Sequence, residues 1–213
     1  MEDSIQWQRP GEFGAHVAGS GAGGPQDPMR VWIIQVGEPL PADAGQPRLW
    51  RSGLLAHYLA AHGHTVLWWA STFEHRTKSH RQSGDTRVPL GDRLSLYLIH
   101  SPGYRKNVSV ARLRDHRILG RRFRSLAELE ERPDVIHCGF PTIELSLEAA
   151  DYGRRHGVPV VLDARDLWPD IFVDAAPGPL RGFVRLLMRA QFQRAHEAFS
   201  KATAISGHTP AFV

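Results

Sequence analysis

The sequence holds a single cysteine, Cys138, in 213 residues. That excludes an intrachain disulfide, and nothing in the sequence points to an oxidising compartment. Cys138 closes the apolar run Val135-Ile-His-Cys138, where a buried, inert thiol is expected. No apolar run approaches the roughly 20 residues that a membrane-crossing helix needs. The N-terminus has neither the basic stretch nor the apolar stretch of a secretory signal, so the sequence reads as that of a soluble, cytoplasmic protein. Phosphate-binding glycine motifs are also missing. The loop after the first apolar run offers Gly37 and Gly45, but no G-x-G-x-x-G and no G-x-x-x-x-G-K-S/T. This disfavours a plain dinucleotide-binding or P-loop enzyme. The absence of G-x-S-x-G disfavours an α/β-hydrolase. Histidines are numerous between Ser71 and Asp92, but they lack the spacing to acids that a zinc site requires, and no metal is expected.

What is present is ordinary for a folded soluble chain: 42% hydrophobic and 23% charged residues, enough to bury a substantial core. The formal net charge is +4 and the isoelectric point about 9.6. Arginine is spread along the chain, its densest cluster being Arg121, Arg122 and Arg124 around Phe123. This argues for an anionic partner, such as nucleotide phosphates or an acidic membrane face, and against dedicated nucleic-acid binding. A solvated basic helix face is an equally good account of the cluster.

Residues 1–28 are rich in Gly, Ala, Pro and polar residues without periodicity and read as a disordered leader. Met29 is the candidate start of the folded part. From there strands and helices alternate. Arg30 to Val36 is a strand, and Leu49, Trp50, Leu54, Tyr58 and Ala61 recur at helical spacing after Pro47, with Gly63 as terminator. Thr65 to Ala70 is the second strand and Ser71 to Asp92 a polar loop. Leu94 to His100 is a third strand, and Val108 to Glu131 one or two helices interrupted near Gly120. Asp134 to Cys138 is a fourth strand, followed by a helix from Thr142 to His156 that Gly157 ends. Leu180 to Phe199 reads as one long helix whose stripe (Phe183, Val184, Leu187, Met188, Phe192 and Phe199) faces the core. Ala202 to Ile205 is a last strand. The fold class is therefore α/β, a Rossmann-like doubly wound parallel sheet.

One stretch stands apart, Val158-Pro-Val-Val-Leu-Asp-Ala-Arg-Asp-Leu-Trp-Pro-Asp170. It starts as a buried strand and turns within a residue or two into Asp163, Arg165, Asp166, Trp168 and Asp170. Open α/β sheets bind ligands outside the carboxyl ends of their strands, so such a run delivers side chains to a cleft. Turn chemistry alone would need fewer charges.

Several pieces, in order, resemble the N-terminal half of family 4 glycosyltransferases, which have two Rossmann-like domains in the GT-B arrangement. Leu59-Ala-Ala-His-Gly-His-Thr-Val66 is similar to that family's L-x-x-x-G-H-x-V pattern, and Pro133-Asp-Val-Ile-His137 to its P-D-V-I-H strand. Gly157-Val-Pro-Val-Val161 followed by Ala164-Arg-Asp-Leu-Trp-Pro169 resembles the G-V-P-x-V…R-D-L-W-P block of bacterial polysaccharide and O-antigen members. Lys201-Ala-Thr-Ala-Ile-Ser206 resembles the strand that closes the domain. The resemblance covers residues 29–213.

It implies retaining transfer of a sugar from a nucleotide-sugar donor to a glycan or lipid-linked acceptor, in cell-envelope or exopolysaccharide synthesis, with no metal and no cofactor beyond the donor. Location in the cytoplasm or at the inner face of its membrane, with peripheral membrane contact, goes with that reading. By position, Gly45 would approach the donor diphosphate. Asp166 and Arg165 would be the catalytic pair at the transferred sugar, with Trp168, His137 and Asp163 on the sugar or acceptor side. The donor-holding second domain is not found in the sequence, so the chain is expected to be inactive unless that domain or a partner chain supplies it. The rival expectation is a non-catalytic binding module that kept the fold.

Overall fold

The computed structural model describes residues 27–45, 47–107, 109–166, 168–174 and 176–207. The expected leader lies outside the described residues except for Asp27 and Pro28. The elements are β1 (Arg30–Ile34), α1 (Arg51–Ala61), β2 (Thr65–Ser71), β3 (Phe73–Glu74), β4 (Ser79–His80), β5 (Thr86–Pro89), β6 (Leu94–Ile99) and α2 (Val110–Ala127). They continue with β7 (Val135–Phe140), α3 (Ile143–His156), β8 (Val160–Ala164), α4 (Asp170–Asp174), α5 (Arg181–Leu187), α6 (Arg189–Lys201) and β9 (Ala204–Gly207).

Seven strands form one sheet in the order β5-β6-β2-β1-β7-β8-β9. All neighbours run parallel except the edge strand β5, which is antiparallel to β6. The strands are apolar on both faces because helices cover both sides. On one face Trp32, Trp69, Phe123 and Tyr152 pack edge-on or tilted, with Leu119, Leu145 and Ala149 beneath α2, α3 and α6. On the other, Ile33, Trp68 and Leu96 meet Ala56 of α1. The order of strands reverses between β1 and β7, so their carboxyl ends splay apart and leave a crevice.

Local end signals are obeyed where they are strong. Gly157 takes a left-handed conformation (φ 65°) at the end of α3, as a C-terminal cap glycine should. Gly153, inside the same helix, leaves room for Val160, whose Cγ2 lies 2.3 Å from where a Cβ would stand.

Four expectations are corrected. The segment after β2 is a β3–β4 hairpin followed by β5, because Arg81 clamps it with a bidentate ion pair to Asp43. Helix α1 begins at Arg51, not Pro47, and its apolar stripe points outward: Trp50, Leu54 and Tyr58 are exposed, while Ser52, Gly53 and Ala56 are buried. The small side chains let α1 approach the sheet closely, which outweighs burial of the larger ones. Helix α2 runs unbroken through Gly120, whose missing Cβ would sit 3.1 Å from the Glu144 carbonyl of α3. The span 180–199 is two helices with a break at Met188, and Phe183 and Leu187 are exposed instead of facing the core.

Candidate functional site

The carboxyl ends of β1, β2, β7 and β8 enclose an open cleft of about 260 Å³. Gln35 to Glu38 follow β1, Ser71 ends β2, Pro141 and Thr142 follow β7, and Arg165 and Asp166 follow β8. Asp115 and His116 of α2 line the far wall, with Arg112 beside them, and Trp50 stands half exposed on the rim. The glycine on the cleft wall is Gly37, in the left-handed region (φ 83°). Gly45 is also left-handed (φ 82°). It adjoins Ala44 in a loop whose residues face the β3–β4 hairpin, and it is not among the cleft residues.

The floor of the cleft is an ion network. Arg165 donates to Glu38, to Asp163 (2.7 Å) and to the Ser52 hydroxyl (2.9 Å). Arg51 donates to both oxygens of Asp163 at 2.8 Å, and Ser206 adds a bond at 3.1 Å. The Glu38 and Asp163 side chains are 2% and 3% exposed. Burial alone would raise the Asp163 carboxyl, but the hydrogen bonds from Arg165 and Arg51 outweigh it and hold the group below its ordinary range. Gly139 makes the crossing possible: a Cβ there would fall 1.7 Å from Gln35 Oε1 and 3.5 Å from Arg165 Cζ.

The residues singled out from the sequence therefore separate. Arg165 and Asp166 are both at the cleft, Asp166 exposed on its rim. Asp163 lies beneath, as an anchor for Arg165. Trp168 lines an adjacent apolar cavity and lies under the Arg112 guanidinium, 4.5 Å from its ring centroid. His137 pairs in register with Ile33 on the α1 side of the sheet, away from the cleft lining, and burial pushes its pKa down. Cys138 is fully buried, and burial pushes its thiol up to about 12, so it is inert. Among the described residues no three His, Cys, Asp or Glu side chains converge as metal ligands. No described helix is long and apolar enough to cross a membrane.

The far wall was missed from the sequence. Arg112, Asp115 and His116 at spacings of three and four share one face of α2, a pattern that could have marked them. Asp115 accepts the Gly103 N–H at 2.7 Å, yet burial pushes its carboxyl up. Tyr104 is nearly buried there, its hydroxyl 2.6 Å from His75 Nδ1.

Burial, with Arg112 and His75 nearby, pushes His116 down to about 3. The unfolded chain takes up its proton near 6.5, so between those values the unfolded state holds more protons and stability falls as pH falls. From pH 7 to pH 5 the loss from this group should be about 2 kcal/mol, at about 1.36 kcal/mol per unit. Denaturant midpoints measured across that range should show it, and His116→Gln should flatten the slope.

A model of the glycosyl transferase 4-like domain matches residues 50–207. The chain belongs to that family. It is thus a family 4 glycosyltransferase N-terminal domain, and its mostly parallel sheet with flanking helices is the Rossmann-like half of a GT-B arrangement. No curated protein matches the chain at a significant level. In the glycosyl transferase 4-like domain the matched span runs from Trp50 on the cleft rim to Gly207 at the end of β9 and includes Arg112, Asp163, Arg165 and Asp166.

Proposed function

We propose that this glycosyltransferase domain is the acceptor-side half of a retaining, nucleotide-sugar-dependent hexosyltransferase of cell-envelope or exopolysaccharide synthesis. The observation that carries the reading is the cleft at the β1/β7 reversal, with Asp166 on its rim and a fixed Arg165 in its floor. A carboxylate accepts sugar hydroxyls, and the half-exposed Trp50 offers a face to a sugar ring. Arg112, on the cleft wall, supplies positive potential toward a diphosphate leaving group. Arg165 acts in this reading as a positioning residue. Its nitrogens are engaged by Glu38, Asp163 and Ser52, so it sets the electrostatics of the cleft floor and the course of the backbone to Asp166. No metal or cofactor beyond the donor has a part in it.

The described cleft is one wall. Transfer requires the donor phosphates to be held against the acceptor, so the chain by itself should turn over no nucleotide-sugar. Joined to the donor domain of a family 4 enzyme it should transfer labelled sugar with retained anomeric configuration, read by nuclear magnetic resonance of the product. Turnover by the homogeneous chain alone would refute the need for a second wall. Failure of the joined protein across a panel of donors and acceptors would favour the second reading, a binding module that kept the fold. The engagement of every Arg165 nitrogen in internal bonds is what favours that alternative.

A further inference from the structure

His75 lines the cleft from the turn between β3 and β4, beside the far wall. Its Nδ1 faces two donors, the Tyr104 hydroxyl at 2.6 Å and Lys78 Nζ at 3.3 Å. An ammonium only donates, so Nδ1 must offer its lone pair. The proton of the neutral ring therefore sits on Nε2, and the Tyr104 hydroxyl donates as well. Among the described residues Nε2 has no hydrogen-bond partner.

Several elements hold this arrangement. Lys78 Nζ also donates to Asn107 Oδ1 at 2.6 Å and lies 4.7 Å from the Tyr104 ring centroid. Arg112 of α2 donates to the Asn107 carbonyl at 3.0 Å, and its guanidinium lies 5.5 Å from the same ring. Lys78 keeps its place with a left-handed backbone (φ 57°), uncommon for a residue with a Cβ. Such conformations persist where surrounding contacts impose them, and they gather at ligand sites. The groups facing His75 are Lys78 on its own turn, Tyr104 after β6, and Arg112 and His116 on α2. Asp115, the acid of that wall, is committed to the Gly103 N–H at 2.7 Å. Burial, Lys78 and Arg112 push His75 below its ordinary value of 6.5, so the ring is uncharged at neutral pH.

We infer that His75 is a specificity-determining residue of the cleft, its Nε2–H donating to a hydroxyl or ring oxygen of the acceptor sugar. An anion is met better by a cation, and two donors on Nδ1 oppose charging this ring. An uncharged sugar oxygen needs only a well-placed N–H. Asp166 accepts and His75 Nε2 donates, so the cleft offers both partners that a sugar hydroxyl can use. The inference rests on the acceptor-side reading of the cleft and narrows it: uncharged sugar oxygens are recognised at His75, not acidic or phosphorylated groups.

The test has two readouts. Long-range proton–nitrogen magnetic resonance of the full chain, with His75→Gln for assignment, reads the tautomer at pH 7. The Nε2–H form is expected, with a titration midpoint below 6.5 that rises toward that value in Lys78→Met. The same signal should move saturably with the methyl glycosides of glucose, galactose or mannose, and should not move with inorganic phosphate. In the protein joined to a donor domain, His75→Leu should raise the KM for the acceptor at least tenfold, with kcat changed less. His75→Gln, whose amide N–H reaches the place of Nε2, should recover most of that loss. His75→Asn, whose amide stands at the place of Nδ1, should not. Should His75→Leu fail to fold, the glycoside titration of the unaltered chain still decides.

A charged ring or the Nδ1–H tautomer at pH 7 would overturn the inference. So would an equal or larger response to inorganic phosphate, no response to any of the glycosides, or one KM shared by all three variants. Sugar transfer with a KM indifferent to His75 would leave the transferase reading standing without this inference. Glycoside binding at His75 in a joined protein that transfers nothing would keep the inference and remove that reading.

Discussion

Arg165→Ala should unfold the domain at a markedly lower temperature, by about 3–5 kcal/mol of stability. The side chain it removes is the shared partner of two carboxylates that are almost wholly buried, Glu38 and Asp163. Breaking a buried pair leaves uncompensated charge behind, which is where a cost of about 3–5 kcal/mol arises. For a domain of this size that corresponds to a fall in melting temperature of roughly 6–20 °C, at about 2–4 °C per kcal/mol. Arg51 offsets part of the loss at Asp163, since it already donates to both of its oxygens, but Glu38 would retain only Ser52.

Two controls make the argument specific to charge. Arg165→Lys should recover little, because an ammonium cannot span Glu38, Asp163 and Ser52 as the guanidinium fork does. Arg165→Met combined with Glu38→Gln and Asp163→Asn should recover most of the stability, because the buried charges go together. Thermal scans of the three variants decide it. A loss below about 1 kcal/mol in Arg165→Ala, the range of an exposed pair, would show that the network is solvated.

That network explains why the fold was more legible than the site. Strands β1, β2 and β7 and helix α3 announce themselves through local apolar runs and a glycine stop at Gly157. The reversal that makes the cleft follows from the alternation of strands and helices. The charged run after β8 was likewise visible, and its delivery of Arg165 and Asp166 to the strand ends could be anticipated. Its partners could not. Glu38 lies 127 residues from Arg165, and Arg51 lies 112 from Asp163; no local pattern connects them. The same holds for the β3–β4 hairpin, which Asp43 clamps from 38 residues away. Helix α1 misled for another reason. Its large apolar residues have the right period, but the face that fits the sheet is the one with Ser52, Gly53 and Ala56. Trp50 is thereby left on the cleft rim, where the sequence pattern had offered it only as part of a helical stripe.

Asp166→Ala should do the opposite of Arg165→Ala. In the protein joined to a donor domain, sugar transfer should fall by about a hundredfold or more, the scale on which single groups acting on a transition state are worth, while the melting temperature stays within a degree or two. The structural ground is its exposure. Asp163 and Glu38 are committed to the network beneath, whereas Asp166 stands one residue beyond Arg165 on the open side of the cleft. An exposed carboxylate contributes little to folding, so its removal costs the fold almost nothing and the cleft its acid. Asp166→Asn sharpens the test, since the amide keeps the size and still accepts a hydrogen bond from a sugar hydroxyl. If Asp166 only orients the sugar, the amide should restore most of the activity, with the defect of the alanine variant appearing in KM. If its charge is needed as positive charge develops on the sugar, the amide should be as slow as alanine, and the defect should appear in kcat. Parallel losses of stability and transfer in Asp166→Ala would instead make the residue a strand-end cap, and the reactive acid would then have to be sought at Asp115 on the opposite wall.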